Sequence, residues 1–222
     1  SGTAAPIKLM VIEPAGTVFD SLLPTGNTID ILEIPNFGEV KVSIVDASNP
    51  LVFVYAKDIG SDGTEIPVDI DGDPERLLLL ENIRGATAKL LGLVDNIEDA
   101  ATITPGVPKM TVVAQPITYT STSGEVIQED EIDISSRMMS MQKAHPTYAM
   151  TGAMCTAAAV IPGTIVYNAK RKGTKPDRLK IGHPGGILEA GVDFEDRDGD
   201  IFIQSAYGYR TARLLLKGIA YC

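Results

Sequence analysis

Thr151-Gly152-Ala153-Met154-Cys155-Thr156-Ala157-Ala158-Ala159-Val160-Ile161 is the stretch on which the reading of the fold turns. It is rich in alanine, carries no charged residue, and runs into the stop signal Pro162-Gly163. Small side chains surround it on every side, so a helix over 151–161 has no face suited to water. Such a helix belongs inside a protein.

What surrounds it must then be sheet. Downstream, 164–168, 187–194 and 200–206 read as strands, with Gly199 between the last two. Upstream, 7–13, 28–34 and 40–45 are apolar and β-branched, separated by Pro-Ala-Gly, Pro-Thr-Gly-Asn and Pro-Asn-Phe-Gly turns. Residues 51–56 are almost continuously apolar, as in a strand covered on both faces. A second helix opens at Asp73-Pro74, an N-cap followed by proline at the first helical position. Leu79, Ile83, Ala86, Leu90 and Leu93 give it one apolar face, and Gly92 marks its end. Residues 95–108 read as a loop, 109–114 as a strand, 120–125 as a turn and 129–131 as an exposed acidic stretch. The sum is a β-rich α+β fold with one helix inside the sheet and one outside it.

A chain of 222 residues can bury one substantial core. Its 44% hydrophobic and 22% charged content are those of an ordinary globular protein. The formal net charge of -10 repels nucleic-acid phosphates and anionic lipid, so neither is expected as a partner. No apolar run approaches the roughly 20 residues of a membrane span, and Ser1-Gly2-Thr3 has no signal-peptide character. Two cysteines do not make a disulfide framework, so a reducing, cytoplasmic setting is expected. An acidic chain that binds an anion must concentrate its few cations in one place.

Four clusters carry polar residues where a ligand would meet them. Ser140-Met141-Gln142-Lys143-Ala144-His145-Pro146-Thr147-Tyr148 leads to the start of the buried helix at Thr151-Gly152, where free amides attract anions and glycine permits close approach. The plainer alternative makes Thr151 an N-cap and His145 a loop histidine. His183-Pro184-Gly185-Gly186 suggests a turn whose amides suit a carboxylate, or simply a hairpin with a surface histidine. Arg210-Thr211-Ala212-Arg213 offers bidentate arginine or a solvated cation. Asn49, in Asp46-Ala47-Ser48-Asn49-Pro50, either binds a ligand or caps its turn. Other signals lead nowhere. Asp69-Ile70-Asp71-Gly72-Asp73 and Asp196-Arg197-Asp198-Gly199-Asp200 begin like calcium loops but lack the sixth-position glycine and the closing glutamate. No zinc spacing, P-loop, nucleophile elbow or dinucleotide fingerprint is present. Cys155 falls within the buried helix and reads as an inert thiol.

In order along the chain, Glu13-Pro14-Ala15-Gly16, Leu23-Pro24-Thr25-Gly26-Asn27, the 46–50 turn, Glu81-Asn82-Ile83-Arg84, Ser140 to Lys143, Thr151 to Thr156, Gly182 to Gly186, and Arg210 to Arg213 resemble one family. It contains the 2-methylaconitate isomerase of propionate catabolism, methylitaconate isomerases and 4-oxalomesaconate tautomerases. The resemblance implies a diaminopimelate epimerase-like fold, a mostly antiparallel curved sheet or barrel around a central buried helix. It gives residues 1–38 to the end of a first domain and 39–222 to a second. The acid/base lysine and cysteine proposed for the family lie in the first domain, and their Gly-Thr-Ser-Lys and Gly-Asn-Cys-Gly-Asn motifs are absent here. Ala149 stands where diaminopimelate epimerase has its second cysteine. Pro146-Thr147 and Gly185 are smaller departures, where relatives often carry Lys-Ala and Ser.

The resemblance therefore implies no catalytic residue in this chain. It implies a binding set of Asn49, Ser140, Lys143, His145, Thr151, Gly152, His183, Gly185, Gly186 and Arg210, with a small unsaturated polycarboxylate as ligand and no metal or cofactor. The implied activity is isomerisation of a carboxylate-bearing double bond. Two alternatives are a non-catalytic accessory to an aconitase-type dehydratase and an amino- or hydroxy-acid epimerase, the latter opposed by Ala149. A homodimer is compatible with each.

Overall fold

The computed structural model describes residues 5–197, 200–212 and 218, with backbone alone at 196, 197, 200 and 201. Ser1-Gly2-Thr3, Asp198-Gly199 and Arg213 lie outside the described residues. In chain order, the first strands are β1 (Ile7–Ile12), β2 (Asp30–Ile34), β3 (Gly38–Asp46) and β4 (Pro50–Tyr55). Helices α1 (Pro67–Asp71), α2 (Pro74–Leu90) and α3 (Ala100–Ile103) follow, then β5 (Lys109–Ala114). A small hairpin of β6 (Tyr119–Thr120) and β7 (Val126–Ile127) precedes β8 (Ile134–Ser140) and β9 (Lys143–Ala144). Helices α4 (Met150–Ala158) and α5 (Ile165–Ala169) lead to β10 (Leu179–His183), β11 (Gly186–Arg197) and β12 (Asp200–Arg210).

One sheet takes nearly all the strands, in the order β1-β12-β11-β10-β8-β5-β4-β3-β2, with β9 attached to β8. Among the described residues only β4–β5 and β10–β8 pair in parallel. Helix α4 packs against β3 and β4 as well as β11 and β12, strands well separated in that order. A sheet can touch one helix from both sides only by curling around it, and an Ala15–Ala47 bridge ties the two flanks together. β1 and β2, assigned from sequence to a first domain, are the two edge strands of this sheet.

Alternation along β4 shows how the layers form. Leu51 and Phe53 point inward to Ala153, Met154, Ala157 and Ala158 of α4, whereas Val52 and Val54 point outward to Leu80 and Ile83 of α2. The expectation of a strand covered on both faces, with one helix inside and one outside, holds. Among the described residues no helix is long and apolar enough to cross a membrane.

Several local expectations are corrected. Helix α2 buries Leu80, Ile83, Arg84, Thr87 and Ala88, while Leu90 is half exposed. Its face is rotated because buried Arg84 spans to Glu81 and to the Thr104 carbonyl, at 2.8 and 2.6 Å. Residues 164–168 form α5 rather than a strand, since the Thr164 hydroxyl caps the Tyr167 N–H at 3.1 Å and Ile165, Val166 and Ala169 all find the core. The 95–108 loop contains α3 and a 3₁₀ turn at Ile97–Asp99. Helix α4 stops at Ala158, before its Pro-Gly signal. Strand β8 carries Ser135, Ser136 and Arg137, all buried, and has no apolar pattern to announce it. Its neighbours dictate its course, each fully buried Val, Leu or Ile there contributing about 1.5–3 kcal/mol.

Candidate functional site

Strand directions gather the candidate residues at one end of the sheet. β3 ends at Asp46 and β4 starts at Pro50, leaving Asn49 in the turn. β5 starts beside β4, with Lys109 level with Leu51, and β8 returns antiparallel to finish at Ser140. β10 runs parallel to β8 but pairs with its first residues, so His183 finishes level with Ser136, two residues from Met138, whose carbonyl accepts the His145 N–H. There β11 starts at Gly186, paired with His183, and β12 finishes at Arg210. Helix α4 also begins there, with Met150 Sδ filling the space that a Cβ on Gly208 would need.

Two turns of identical construction face each other in this cluster. In His145-Pro146-Thr147 the Thr147 N–H donates to His145 Nδ1 at 3.1 Å, and in His183-Pro184-Gly185 the Gly185 N–H donates to His183 Nδ1 at 3.1 Å. A Cβ on Gly185 would come within 2.9 Å of Thr147 Cγ2, so the turns are in contact. With Nδ1 accepting, each neutral imidazole carries its proton on Nε2 and has that N–H left to donate. Burial, reinforced by the positive charges of Arg137, His145 and Arg210, pushes His183 down to about 4. His145 is lowered as well, mainly by burial and also by Lys109, against the opposing pull of its Thr147 contact. His183 is only 7% exposed and is no surface residue.

A polar framework behind the sheet fixes the second turn. The Tyr119 hydroxyl lies 2.8 Å from both the His183 and Gly186 carbonyl oxygens, which share its proton. Gly186 holds φ at 129°, where glycine avoids strain. Arg137, beneath the Tyr119 ring at 4.7 Å, donates from Nη1 to the Gly182 carbonyl at 3.2 Å and from Nε to the Glu65 carbonyl at 2.5 Å. The Glu65 carboxylate accepts from Arg76 Nη1 at 2.5 Å and from the Asp62 N–H at 3.1 Å. Arg137 Nη2 and Glu65 Oε2 are buried without a hydrogen-bond partner. On the inner face, the Tyr148 hydroxyl meets Ser136 Oγ at 2.9 Å and Thr156 Oγ1 at 3.0 Å. Neither Tyr119 nor Arg137 stands out in the sequence, where a charged residue between serines and methionines is the one available clue, and Tyr148 closes the 140–148 stretch without a role of its own.

The remaining candidates divide. Thr151 is exposed in the first turn of α4 and caps nothing; the N-cap is Ala149, with no side-chain hydrogen bond. The space above Gly152 is filled by Met138, so this glycine serves helix–strand packing rather than ligand approach. Ser140 pairs with exposed Lys143 across the β8–β9 hairpin, and Arg210 is exposed at the end of β12. Asn49 is half-buried, and its amide makes no hydrogen bond within the described residues. Asp46 instead organises that corner: its buried carboxylate accepts from Thr17 Oγ1 and from the Val18 and Phe19 N–H groups, at 2.6 and 2.9 Å for the amides. Cys155 is fully buried, donates to the Val45 carbonyl at 3.3 Å and has its pKa raised by burial. Of the first calcium-like stretch, Asp69 and Asp73 cap helices and Asp71 accepts the Ala144 N–H. Among the described residues no three His, Cys, Asp or Glu side chains are grouped to hold a metal.

Comparison with known proteins gives a consistent result. Residues 1–222 match the family model described as PrpF protein. The chain is 39% identical to the 3-methylitaconate isomerase of Eubacterium barkeri, over 99% of this chain and 57% of that protein. It is 36% identical to the 2-methyl-aconitate isomerase of Shewanella oneidensis, over 97% of this chain and 55% of that one. A crystal structure of methylitaconate-delta-isomerase superposes with a TM-score of 0.85 at 37% identity, covering 96% of this chain and 55% of the other. The chain thus spans a little over half the length of the relatives it matches.

Proposed function

This chain belongs to the PrpF protein family, and from that premise we propose that it is the carboxylate-holding part of an isomerase acting on a small unsaturated di- or tricarboxylate. The observation that carries this reading is the gathering of His145, His183 and Arg210 beside the uncapped start of α4 in a protein of net charge -10. The Arg210 guanidinium so placed in an acidic chain attracts an anion, and two neutral imidazole N–H groups orient its oxygens.

The reaction has two proton transfers. A base removes the acidic proton next to the carboxylate-bearing alkene, and the electron pair spreads into a dienolate with charge on a carboxylate oxygen. Reprotonation at the far carbon of the allylic system completes the shift. His145 and His183 donate from Nε2 to the developing oxyanion, and Arg210 and Lys143 balance its charge. Both proton transfers fall to groups outside these 222 residues, as the missing lysine and cysteine motifs indicate. The scheme needs no cofactor. A non-catalytic carboxylate binder is the second reading, favoured by Ala149 at the helix start, where no acid stands.

Thermal denaturation tests both readings. Saturating trans-aconitate is expected to raise the melting temperature, a ligand at a hundred times its dissociation constant stabilising by about 2.7 kcal/mol, with much less effect from acetate. An unmoved melting temperature at millimolar trans-aconitate counts against either form of carboxylate binding. A shift without conversion of methylaconitate or methylitaconate, even by a protein that joins these residues to a part carrying the lysine and cysteine motifs, selects the non-catalytic reading.

A further inference from the structure

We propose that Lys109, which no motif picks out, is a binding residue of this site and engages a substrate carboxylate directly. The proposal rests on the polycarboxylate reading above and adds a residue to it.

Its position follows from register. Lys109 pairs with Leu51 and lies two residues before Thr111, both of which face the α4 side of the sheet. Alternation puts the Lys109 side chain on that side too. The β5–β8 register, Thr111 to Met138, carried two residues further sets Lys109 level with Ser140. His145 is bonded to Met138 through its N–H at 2.8 Å and feels the charge of Lys109. Lys109 therefore stands on the inner face, one pair beyond the row of Thr111, Met138 and His145.

The second observation is what Lys109 lacks. It is partly buried, yet within the described residues it has no hydrogen bond and no carboxylate within 4 Å. Burial lowers its pKa. Glu81 of the outer helix α2, which lines a small pocket together with Lys109, is committed to Arg84 at 2.5 Å. An ammonium group drawn from water without a counter-ion is unfavourable unless an anion arrives. Lysine, a point charge on a flexible stem, can follow a carboxylate whose position changes as the double bond moves.

The test is calorimetric titration of trans-aconitate into the wild-type protein, Lys109→Met and Lys109→Arg, with a melting curve for each. The methionine variant is expected to melt at or above the wild-type temperature and to bind roughly ten- to a hundredfold more weakly, and arginine to restore most of the affinity. Wild-type affinity in Lys109→Met overturns the assignment and leaves the polycarboxylate reading intact. Absence of binding to the wild-type protein overturns both. If Lys109→Met does not fold, reductive methylation of the wild-type protein decides. Protection of Lys109 by saturating trans-aconitate supports the contact, and equal modification with and without ligand refutes it.

Discussion

Helices α2 and α4 solve the same problem in opposite ways. α2 is self-sufficient at both ends: Asp73 accepts the Arg76 N–H at 3.0 Å, and Gly92, in left-handed conformation, lets its own N–H and that of Leu93 close on Lys89 and Ala88 at 3.0 and 2.9 Å. It lies against the outer face of the sheet and keeps Leu78 and Leu90 in water. α4 has nine residues and no side-chain cap, and from Gly152 to Ala158 it is buried. Alone it would be too short to persist; the sheet wrapped around it holds it in place. A helix that completes its own ends is scaffolding. One stabilised wholly by its surroundings can leave its first amides free, and the two histidine turns and the end of β12 lie near that end.

The largest expected effect tests the asymmetry of burial. Ala157→Asp, at a position with no exposure, should cost more than about 4 kcal/mol by urea denaturation, whereas Leu90→Asp should stay within about 0.5 kcal/mol. Similar losses at both positions would erase the distinction between an inner and an outer helix.

Acid should act on the α4 end before the rest. The folded-state pKa of His183 is depressed, so the unfolded chain takes up the proton first; its stabilising contribution is present above pH 6.5 and fades as pH falls toward about 4. The full contribution is on the order of 3 kcal/mol. His183→Gln should flatten stability between pH 6.5 and 4.5 in denaturation series. Glu65 adds its own loss at lower pH, because hydrogen bonds from Ser61, Asp62 and Arg76 outweigh burial and hold its pKa below the usual value. An unchanged profile in the His183 variant would mean that the ring is not buried and neutral as described.

The smallest effect belongs to the outer helix. Asp73→Ala removes one cap and should cost about 1 kcal/mol, with trans-aconitate affinity unchanged in titration. Weakened binding there would show that α2 is coupled to the site, through Arg76 and Glu65 to Arg137 and the 183–186 turn.

From sequence, the apolar strands, the capped outer helix and the buried inner one follow, because each has a local signature: period-two alternation, an Asp-Pro start, a run with no polar face. Histidines flanked by proline and glycine also stand out locally, which is why His145 and His183 were legible as candidates. Their meeting was not. Thirty-eight residues of chain separate them, and parallel β10 beside β8 brings them together, a pairing set by register and by a sheet closing on a helix. Tyr119, Arg137 and Lys109 were illegible for the same reason. A polar side chain in a strand acquires its role from the strand opposite, and burial, which makes an unpaired cation costly and a histidine neutral, exists only once the tertiary structure has formed.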